Sequence, residues 1–300
     1  MESEQLKTLI EQNNLRGLAK GITEVENQTQ TGRELLSILT PQKHTPVLGF
    51  TGPPGAGKST LINSFTEFLV QKGLKVGIIA VDPTSPFNKG SLLGDRVRMS
   101  SLFLNPNVYI RSLATRGSLG GLSPRTFEVI HLMQSAGFDY IIIETVGVGQ
   151  SEVEVAGLAD TTILVLVPEA GDEVQTLKSG IMEIADIYVV NKADRDGAGI
   201  FAKNLHMLLH ERELSDWQTP IVKTVASKSE GVQELYEAVC KHLASTRAID
   251  KKIYIMMEKV LAIIKDERIR QLDTDTIFKD LNQNQSKEGF NIYQFVKKYI

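Results

Sequence analysis

The sequence predicts an α/β fold: a doubly wound, mostly parallel sheet with a helical arm before it and a helical extension after it. Seven short apolar runs alternate with helix-type patterns through the middle of the chain. Most of these runs are apolar at nearly every position, which is typical of strands covered by helices on both faces of a sheet. The predicted strands span residues 47–51, 76–81, 108–112, 140–144, 161–167, 187–191 and 221–225.

The arm occupies residues 1–42 and is predicted from the helical spacing of its apolar residues. Pro41 and Pro46 then interrupt the pattern, because proline does not continue a helix. Residues 43–248 form the sheet domain, and residues 249–300 form a charged, amphipathic helical extension. From the sequence alone, this extension either caps the domain or provides a dimer surface. The apolar positions of the arm are Leu6, Leu9, Ile10, Leu15, Leu18, Ala19, Ile22, Leu35, Leu36 and Leu39.

The composition argues against several classes of protein. A net charge of −3 over 300 residues gives no sign of a basic surface for nucleic acid. The single cysteine, Cys240, rules out an intramolecular disulfide framework and a Cys-x-x-Cys metal site. The acidic N-terminus lacks an apolar signal core, and the longest apolar run, residues 161–167, is too short to span a bilayer. We therefore expect a cytoplasmic protein that binds neither nucleic acid nor membrane.

A glycine-rich segment directly after the first predicted strand matches the phosphate-binding pattern G-x-x-x-x-G-K-[ST]. Glycines allow the backbone to wrap closely around phosphates with its N–H groups pointing inward. Lys58 is expected to contact the terminal phosphates, and the Ser59 hydroxyl to hold Mg²⁺ at the start of a helix. The predicted fold is therefore that of a P-loop nucleoside triphosphatase. The expected nucleotide-binding residues of this segment are Gly52, Pro53, Pro54, Gly55, Ala56, Gly57, Lys58, Ser59 and Thr60.

A second motif, Asn-Lys-Ala-Asp at residues 191–194, follows a late strand and is typical of a guanine reader. The Asp194 carboxylate can accept from both the ring N–H and the exocyclic amine of guanine, whereas adenine offers neither donor at those positions. Residues 225–227 follow the last strand, where a short loop would close over the base with backbone N–H groups. GTP and GDP are therefore the predicted ligands. The expected base-binding residues are Asn191, Lys192, Asp194, Val225, Ala226 and Ser227.

Three acids are expected to serve the magnesium ion and the attacking water. Glu144 and Asp82 each end an apolar strand, and Asp95 lies in a loop that contains glycine. Carboxylate oxygens suit Mg²⁺, and the Gly147 N–H suits a terminal-phosphate contact that a switch loop makes and loses. The expected catalytic residues are Lys58, Asp82, Asp95, Arg98 and Glu144, and the expected metal-binding residues are Ser59, Asp82, Asp95 and Glu144.

Hydrolysis by the isolated protein is expected to be slow. Arg96 and Arg98 are candidates for neutralising charge during phosphoryl transfer, in cis or across a dimer, although a solvated loop explains them equally well. The residue after Gly147 is Val148 rather than a water-orienting glutamine, and Gln150 comes slightly later. No obvious side chain therefore fixes the attacking water.

The chain resembles the MeaB/ArgK/MMAA family of SIMIBI-class P-loop GTPases over most of its length. Besides the two nucleotide motifs, the resemblance rests on residues 19–24, 81–85, 94–99 and 144–152. It also rests on the block 175–186, which in the family serves as an additional switch near the partner surface. By this resemblance, the candidate switch residues are Gln175, Lys178 and Asp186.

The resemblance implies a GTP-hydrolysing chaperone that gates adenosylcobalamin loading and protects a cobalamin-dependent acyl-CoA mutase, chiefly methylmalonyl-CoA mutase. It also implies a homodimer formed through the C-terminal extension, with a cobalamin adenosyltransferase as a further candidate partner. The chain has no Asp-x-His-x-x-Gly pattern, which is the cobalamin-ligating signature of the mutases. The cofactor is therefore expected to belong to the partner.

Two alternatives stay open at this level: a nickel-type metallochaperone GTPase and a transport-related kinase. The lack of a His-rich tract and of Cys pairs argues against the metallochaperone. The guanine motif and the lack of a recognisable acceptor-binding segment argue against the kinase.

Overall fold

The computed structural model describes residues 2–41, 43–82, 102–114, 125–145, 151–170, 181–210, 217–287 and 289–299. The chain divides into two compact units, Met1–Asp250 and Lys251–Ile300. The first unit contains the arm and the sheet, and the second is built from helices. Within the described ranges, no helix combines the length and the apolar character that a membrane span requires.

The first unit is built on one sheet of seven parallel strands. The strands are β1 (Val47–Thr51), β2 (Val76–Asp82), β3 (Val108–Ala114), β4 (Tyr140–Glu144), β5 (Thr161–Leu166), β6 (Ile187–Val190) and β7 (Ile221–Lys223). Their order across the sheet is β3-β2-β4-β1-β5-β6-β7. This order puts β1 between β4 and β5, and Phe50 of β1 lies opposite Glu144 of β4. The loop after β1 therefore leaves from the middle of the carboxyl edge, where parallel sheets of this type bind ligands.

The helices of the described ranges are α1 (Ser3–Glu11), α2 (Leu15–Glu26), α3 (Gln30–Ile38), α4 (Lys58–Gln71), α5 (Thr126–Ser135), α6 (Ser151–Ala156), α7 (Ile181–Ile184), α8 (Ala198–His210), α9 (Val232–Leu243), α10 (Thr246–Arg270), α11 (Thr274–Asn284) and α12 (Ile292–Val296). Short 3-10 turns occupy Pro168–Ala170 and Ala226–Lys228.

The N-terminal arm consists of the three helices α1 to α3. Two of these helices have a side-chain N-cap. Asn14 accepts from the Gly17 N–H at the start of α2, and Thr29 accepts from the Gly32 N–H at the start of α3. The arm packs on the sheet domain through buried residues that form one cluster with those of α5. Arg111 of β3 also forms an ion pair with Glu26 of α2, which ties the edge strand to the arm.

Helices cover both faces of the sheet. Alternate residues of β5 illustrate this, because Ile163 and Val165 belong to the core under α4 and α9, whereas Leu164 and Leu166 belong to the core under α8. The arm and α5 cover the same strands that α4 covers from the other side, since Ile142 of β4 faces α4 and its neighbours face the arm. This two-faced burial explains why the strand sequences are nearly continuous apolar runs.

Three aspartates set the strand starts at the amino edge of the sheet. Asp139 accepts from the Lys75 N–H, Asp160 from the Val47 N–H and Asp186 from the Thr162 N–H, each at 2.8 Å. Each aspartate directly precedes its own strand and bonds to the start of a neighbouring one. The three carboxylates therefore satisfy backbone donors that the sheet ladder leaves unpaired at this edge.

The predicted fold is confirmed, including all seven strands. Several strand ends differ from the predicted ones by one or two residues: β6 ends at Val190 and β7 at Lys223, rather than at 191 and 225. At both ends the chain leaves the ladder to build the site described next.

Candidate functional site

The loop after β1 has the backbone conformation that its glycines predict. Gly52, Gly55 and Gly57 have φ values of +137°, +77° and +85°, a region that side chains with a Cβ rarely adopt. A Cβ on Gly52 would lie 2.1 Å from the Val165 carbonyl oxygen, and a Cβ on Gly57 would lie 2.5 Å from Asn191 Nδ2. These two glycines are therefore required both by their conformation and by close contact with the neighbouring strand ends.

Two lysines are bonded to the carbonyl oxygens of this loop. Lys58 is the first residue of α4 and is buried, and its Nζ donates to the oxygens of Gly52 at 2.7 Å and Pro53 at 3.0 Å. Lys192 follows β6 with a positive φ of +55°, and its Nζ donates to the Gly55 oxygen at 2.9 Å. Positive charge is thus concentrated at the loop expected to hold phosphates.

Asn191 connects three separate segments of the chain. Its Nδ2 donates to the Ala56 oxygen at 2.9 Å, and its Oδ1 accepts from the Thr224 hydroxyl at 3.0 Å and from the Ala226 N–H at 3.2 Å. Asn191 and Thr224 are both buried. The phosphate loop, the guanine motif and the loop after β7 are therefore held together by one amide side chain.

The expected base loop, residues 225–227, overlaps the 3-10 turn Ala226–Lys228, and two further contacts hold this turn in place. Val225 pairs with Glu230 in an isolated antiparallel bridge, which closes the turn. The Ala226 carbonyl oxygen accepts from the hydroxyl of Ser64, on α4, at 2.6 Å. Ser227 is exposed beside it. The Ala226 N–H, which the sequence assigned to the base, is engaged with Asn191 in this structure.

The carboxylate of Asp194, which is expected to read guanine, lies close to a lysine. Lys228 Nζ lies 3.4 Å from Asp194 Oδ2, and both side chains are about half exposed. Arg195, the next residue, forms an ion pair with Glu169 of the turn after β5. The hydrogen bond from Arg195 holds the pKa of Glu169 below its ordinary value. The loop that carries Asp194 is thereby tied to the turn after β7 and to the turn after β5 by charged contacts.

Ser59 and Glu144 bring two hard oxygen ligands together beside the phosphate loop. The Ser59 hydroxyl donates to Glu144 Oε1 at 2.6 Å, and Glu144 is only 6% exposed. A buried carboxylate and a hydroxyl at a helix start are the donor types that Mg²⁺ takes when it also bridges nucleotide phosphates, so these residues fit that ion. In the described part of the chain, no group of three or more His, Cys, Asp or Glu residues could by itself hold a metal.

The side chains of several predicted site residues lie outside the part of the chain that the structure describes. Asp82 ends the backbone of β2, but its side chain lies outside the described residues, and so do Asp95 and Gly147. The same holds for Arg96, Arg98, Val148, Gln150, Gln175 and Lys178. The roles assigned to them stay predictions.

Asp186 lies at the amino edge of the sheet, opposite the edge that carries the phosphate loop. It is buried, and Oδ1 lies 3.4 Å from His242 Nε2 and 3.3 Å from Arg247 Nε. The Trp217 indole N–H donates to the Asp186 carbonyl oxygen at 3.0 Å, and its ring packs edge-on against His242. These contacts give Asp186 a structural role in joining β6 to α9 and to the first turn of α10. The switch role that the family resemblance implies for Asp186 stays a prediction.

Three further residues belong to the site and were not predicted from the sequence: Ser64, Thr224 and Lys228. Ser64 is one of several polar residues of α4 and is buried, and Thr224 is fully buried just after a strand end. Neither position carried a signal in the sequence, because the burial that requires a hydroxyl to be hydrogen-bonded is a property of the fold. Lys228 carried none either, since exposed lysines are common.

The phosphate loop, the serine–glutamate pair and the guanine motif meet at one edge of a parallel sheet. Together they define the class: a P-loop protein that binds guanine nucleotides. The comparisons with known proteins lead from this class to a family.

The family model described as "Methylmalonyl Co-A mutase-associated GTPase MeaB" matches residues 18–277. The chain is 49% identical over 232 residues to a Pyrococcus horikoshii protein named as a GTPase, covering 76% of this chain and 73% of the other. It is 41% identical to GTPase ArgK of Escherichia coli, covering 74% and 70% of the two chains. It is 37% identical to the mouse "Methylmalonic aciduria type A homolog, mitochondrial", covering 83% and 68%. The chain belongs to the MeaB family and is a GTPase.

Solved structures agree with the fold. A crystal structure described as the LAO/AO transport system kinase matches with a TM-score of 0.71 at 28% identity, covering 99% of this chain and 96% of that one. HypB of Helicobacter pylori, solved in complex with nickel, matches with a TM-score of 0.50 at 18% identity, covering 66% and 86%. At that identity the likeness to HypB is one of fold alone, so it lends no support to a nickel role.

Proposed function

We propose that this GTPase is a chaperone for an adenosylcobalamin-dependent acyl-CoA mutase such as methylmalonyl-CoA mutase. In this proposal it gates cobalamin loading, protects the mutase from inactivation and works in the cytoplasm, where a cobalamin adenosyltransferase is a further candidate partner. The observation that carries the proposal is the family match over residues 18–277, because that family is described by its association with the mutase.

The site supports a nucleotide-dependent switch. Lys58 would turn from the loop carbonyls to the terminal phosphates, and Asp194 would accept the donors of guanine. Ser59 and Glu144 would hold Mg²⁺, which draws charge from the phosphate oxygens when it is bound. In hydrolysis, water attacks the terminal phosphorus, the bond to the bridging oxygen breaks, and GDP and phosphate leave.

Slow hydrolysis by the isolated protein fits a switch that a client controls. None of the contacts described around the phosphate loop supplies a side chain whose role is to orient water: Lys58 and Glu144 are engaged with the loop and with Ser59. Intrinsic GTP hydrolysis without such a group is slow in other P-loop GTPases and rises by orders of magnitude when a partner completes the site. We propose that the mutase plays that part here.

The second unit supports a homodimer. Along α10, the exposed apolar residues recur at helical spacing and form a stripe, here called the α10 stripe: Ile253, Met256, Met257, Val260, Ile263 and Ile264. An exposed apolar stripe of this length is unusual for a surface that stays in water and is typical of an interface. A second copy of the chain presents the same stripe, so a two-fold pairing would bury both at once.

The test of this proposal is GTP turnover measured with and without a purified mutase. We expect the protein alone to hydrolyse GTP in minutes or longer, and methylmalonyl-CoA mutase to raise the rate at least about tenfold. An acyl-CoA enzyme that does not use cobalamin is the matched control and should leave the rate unchanged. In parallel, transfer of adenosylcobalamin to apo-mutase should depend on whether GTP or GDP is bound.

Two results would overturn the proposal. If no cobalamin-dependent acyl-CoA mutase that is tested changes the rate of GTP hydrolysis, a mutase is not the partner of this protein. Transfer of labelled phosphate from GTP to an acceptor other than water would favour the transport-related kinase instead.

A further inference from the structure

The helix that begins at the phosphate loop also holds the base loop. The Ser64 hydroxyl donates to the Ala226 carbonyl oxygen at 2.6 Å, across 162 positions of the chain. Ser64 is 7% exposed and Ala226 is 4% exposed, so the bond is shielded from water. The Ala226 carbonyl oxygen also accepts from the Ser229 N–H at 3.2 Å. Removing the Ser64 hydroxyl therefore costs the net contribution of one buried hydrogen bond, while the carbonyl keeps its local partner.

Ala226 is held on both of its sides. Ser64 fixes its carbonyl group, and Asn191 Oδ1 accepts from its N–H at 3.2 Å. The two peptide units that flank Ala226 are therefore oriented by different elements, α4 and the end of β6. A turn fixed in this way cannot slide along the sheet edge without breaking one of the two bonds.

Ser64 and Ser59 lie on the same helix, five positions apart. The start of α4 carries Lys58 and Ser59, which serve the phosphate end, while Ser64 reaches the turn that serves the base end. A helix is stiff over this length, so it works as a spacer between the two ends of the nucleotide site.

We propose that Ser64 is a positioning residue for the guanine end of the site: it sets the place of the base loop relative to the phosphate loop. This inference rests on the binding of guanine nucleotides at this edge of the sheet, as argued above. Ser64 itself touches no nucleotide in this proposal. Its loss should weaken the recognition of the base and leave the recognition of phosphates intact.

The experiment compares two ligands that differ in the base. Mg²⁺-GDP engages both ends of the site, whereas inorganic tripolyphosphate with Mg²⁺ engages only the phosphate loop. For Ser64→Ala we expect the dissociation constant for GDP to rise about three- to tenfold, the effect of one buried hydrogen bond. The constant for tripolyphosphate, measured by competition, should change by less than about twofold.

Thr66→Val is the matched control. Thr66 lies on the same helix and is fully buried, and its hydroxyl has no hydrogen-bond partner among the described residues. The substitution removes a buried hydroxyl of α4 and keeps the side-chain shape, so both dissociation constants should stay within about twofold of the wild-type values. Ser64→Cys, a near-isosteric variant with a weak donor, should give a smaller loss of GDP affinity than Ser64→Ala.

Three results would overturn the inference. The first is GDP binding unchanged in Ser64→Ala, and the second is equal weakening of GDP and tripolyphosphate, which would mean that Ser64 only supports the fold of α4. The third result applies if Ser64→Ala fails to fold, in which case the Ser64→Cys variant is measured instead. Wild-type affinity for GDP in Ser64→Cys would then overturn the inference. Failure of the wild-type protein to bind GDP at all is a separate result, which would remove the guanine site itself.

Discussion

The amide of Asn191 joins the phosphate loop to the guanine motif, and Gly57 is the residue that leaves room for it. A Cβ on Gly57 would lie 2.5 Å from Asn191 Nδ2, whereas a Cβ on Gly55 would meet nothing within 4 Å. Both glycines have a positive φ, so a side chain at either position costs similar backbone strain. Comparing substitutions at Gly57 and Gly55 therefore separates the effect of backbone strain from the effect of the contact with Asn191.

We predict that Gly57→Ala weakens GDP binding at least about tenfold more than Gly55→Ala does. The excess arises because the new methyl group displaces the Asn191 amide from the Ala56 oxygen, and with it the support of the base loop. Calorimetric titration of both variants with Mg²⁺-GDP gives the comparison. Equal losses in the two variants would mean that the contact with Asn191 does not matter for binding.

Asp194 is the residue that should distinguish guanine from adenine. Asp194→Asn replaces two accepting oxygens by one acceptor and one donor, and the donor faces the donors of guanine. We predict that the preference for GDP over ADP falls at least about a hundredfold, because charge-assisted bonds contribute roughly 1.5–3 kcal/mol each. The neighbouring variant Lys228→Met, which keeps the carboxylate, should preserve the preference. A preference that survives in Asp194→Asn would place the base reader elsewhere.

The strands and helices are positioned by polar contacts as well as by the apolar core. The aspartates before β4, β5 and β6 each accept a backbone N–H at the start of an adjacent strand. Burial of the Asp139 carboxyl opposes its ionisation, but the hydrogen bonds from the Lys43 side chain and the Lys75 N–H outweigh this effect. They hold the pKa of Asp139 below its ordinary value.

We predict that Asp139→Ala lowers the free energy of unfolding by about 1–2 kcal/mol at pH 7. Because the pKa of Asp139 is lowered in the folded protein, this contribution is present above the ordinary aspartate pKa and is lost as the pH falls through the folded value. The difference between wild type and variant should therefore shrink below about pH 4. Urea denaturation at several pH values measures it, and a difference independent of pH would contradict the ionic origin.

Much of this architecture could be predicted from sequence, for identifiable reasons. The strands could be predicted because they are apolar on both faces. The phosphate loop and the guanine motif could be predicted because each is a short, contiguous sequence pattern. The order of the strands was not, because it depends on contacts between distant segments. The contacts of Asp186 show the same limit, because its carboxylate faces His242 and Arg247, which are distant from it in the sequence.

The contacts of Ser64 and Thr224 were unpredictable for the same reason. The Ser64 hydroxyl bonds to a carbonyl 162 positions away, and no local pattern marks that pairing. Thr224 follows a strand that was predicted to continue to residue 225, but the strand ends at Lys223. Beyond Lys223, the Thr224 hydroxyl and the Ala226 N–H both donate to Asn191, and no local pattern marks these bonds either.

At the level of the assembly, the α10 stripe predicts self-association that is separable from nucleotide binding. Val260→Glu places a charge in the middle of the stripe, where pairing would bury it without a partner. We predict that this variant raises the dimer dissociation constant at least about tenfold in analytical ultracentrifugation, with GDP affinity unchanged. Lys265→Glu, which introduces the same residue off the stripe, is the control. A wild-type protein that is monomeric at all concentrations tested would contradict the dimer.

The proposed function depends on one binding event, the docking of a guanine nucleotide at the carboxyl edge of the sheet. Calorimetric titration of the wild-type protein with Mg²⁺-GDP and Mg²⁺-ADP measures that event directly. The site geometry predicts binding of one GDP per chain and an affinity for ADP at least about a thousandfold weaker. Absence of binding heat with both GDP and GTP, or equal affinity for GDP and ADP, would contradict it.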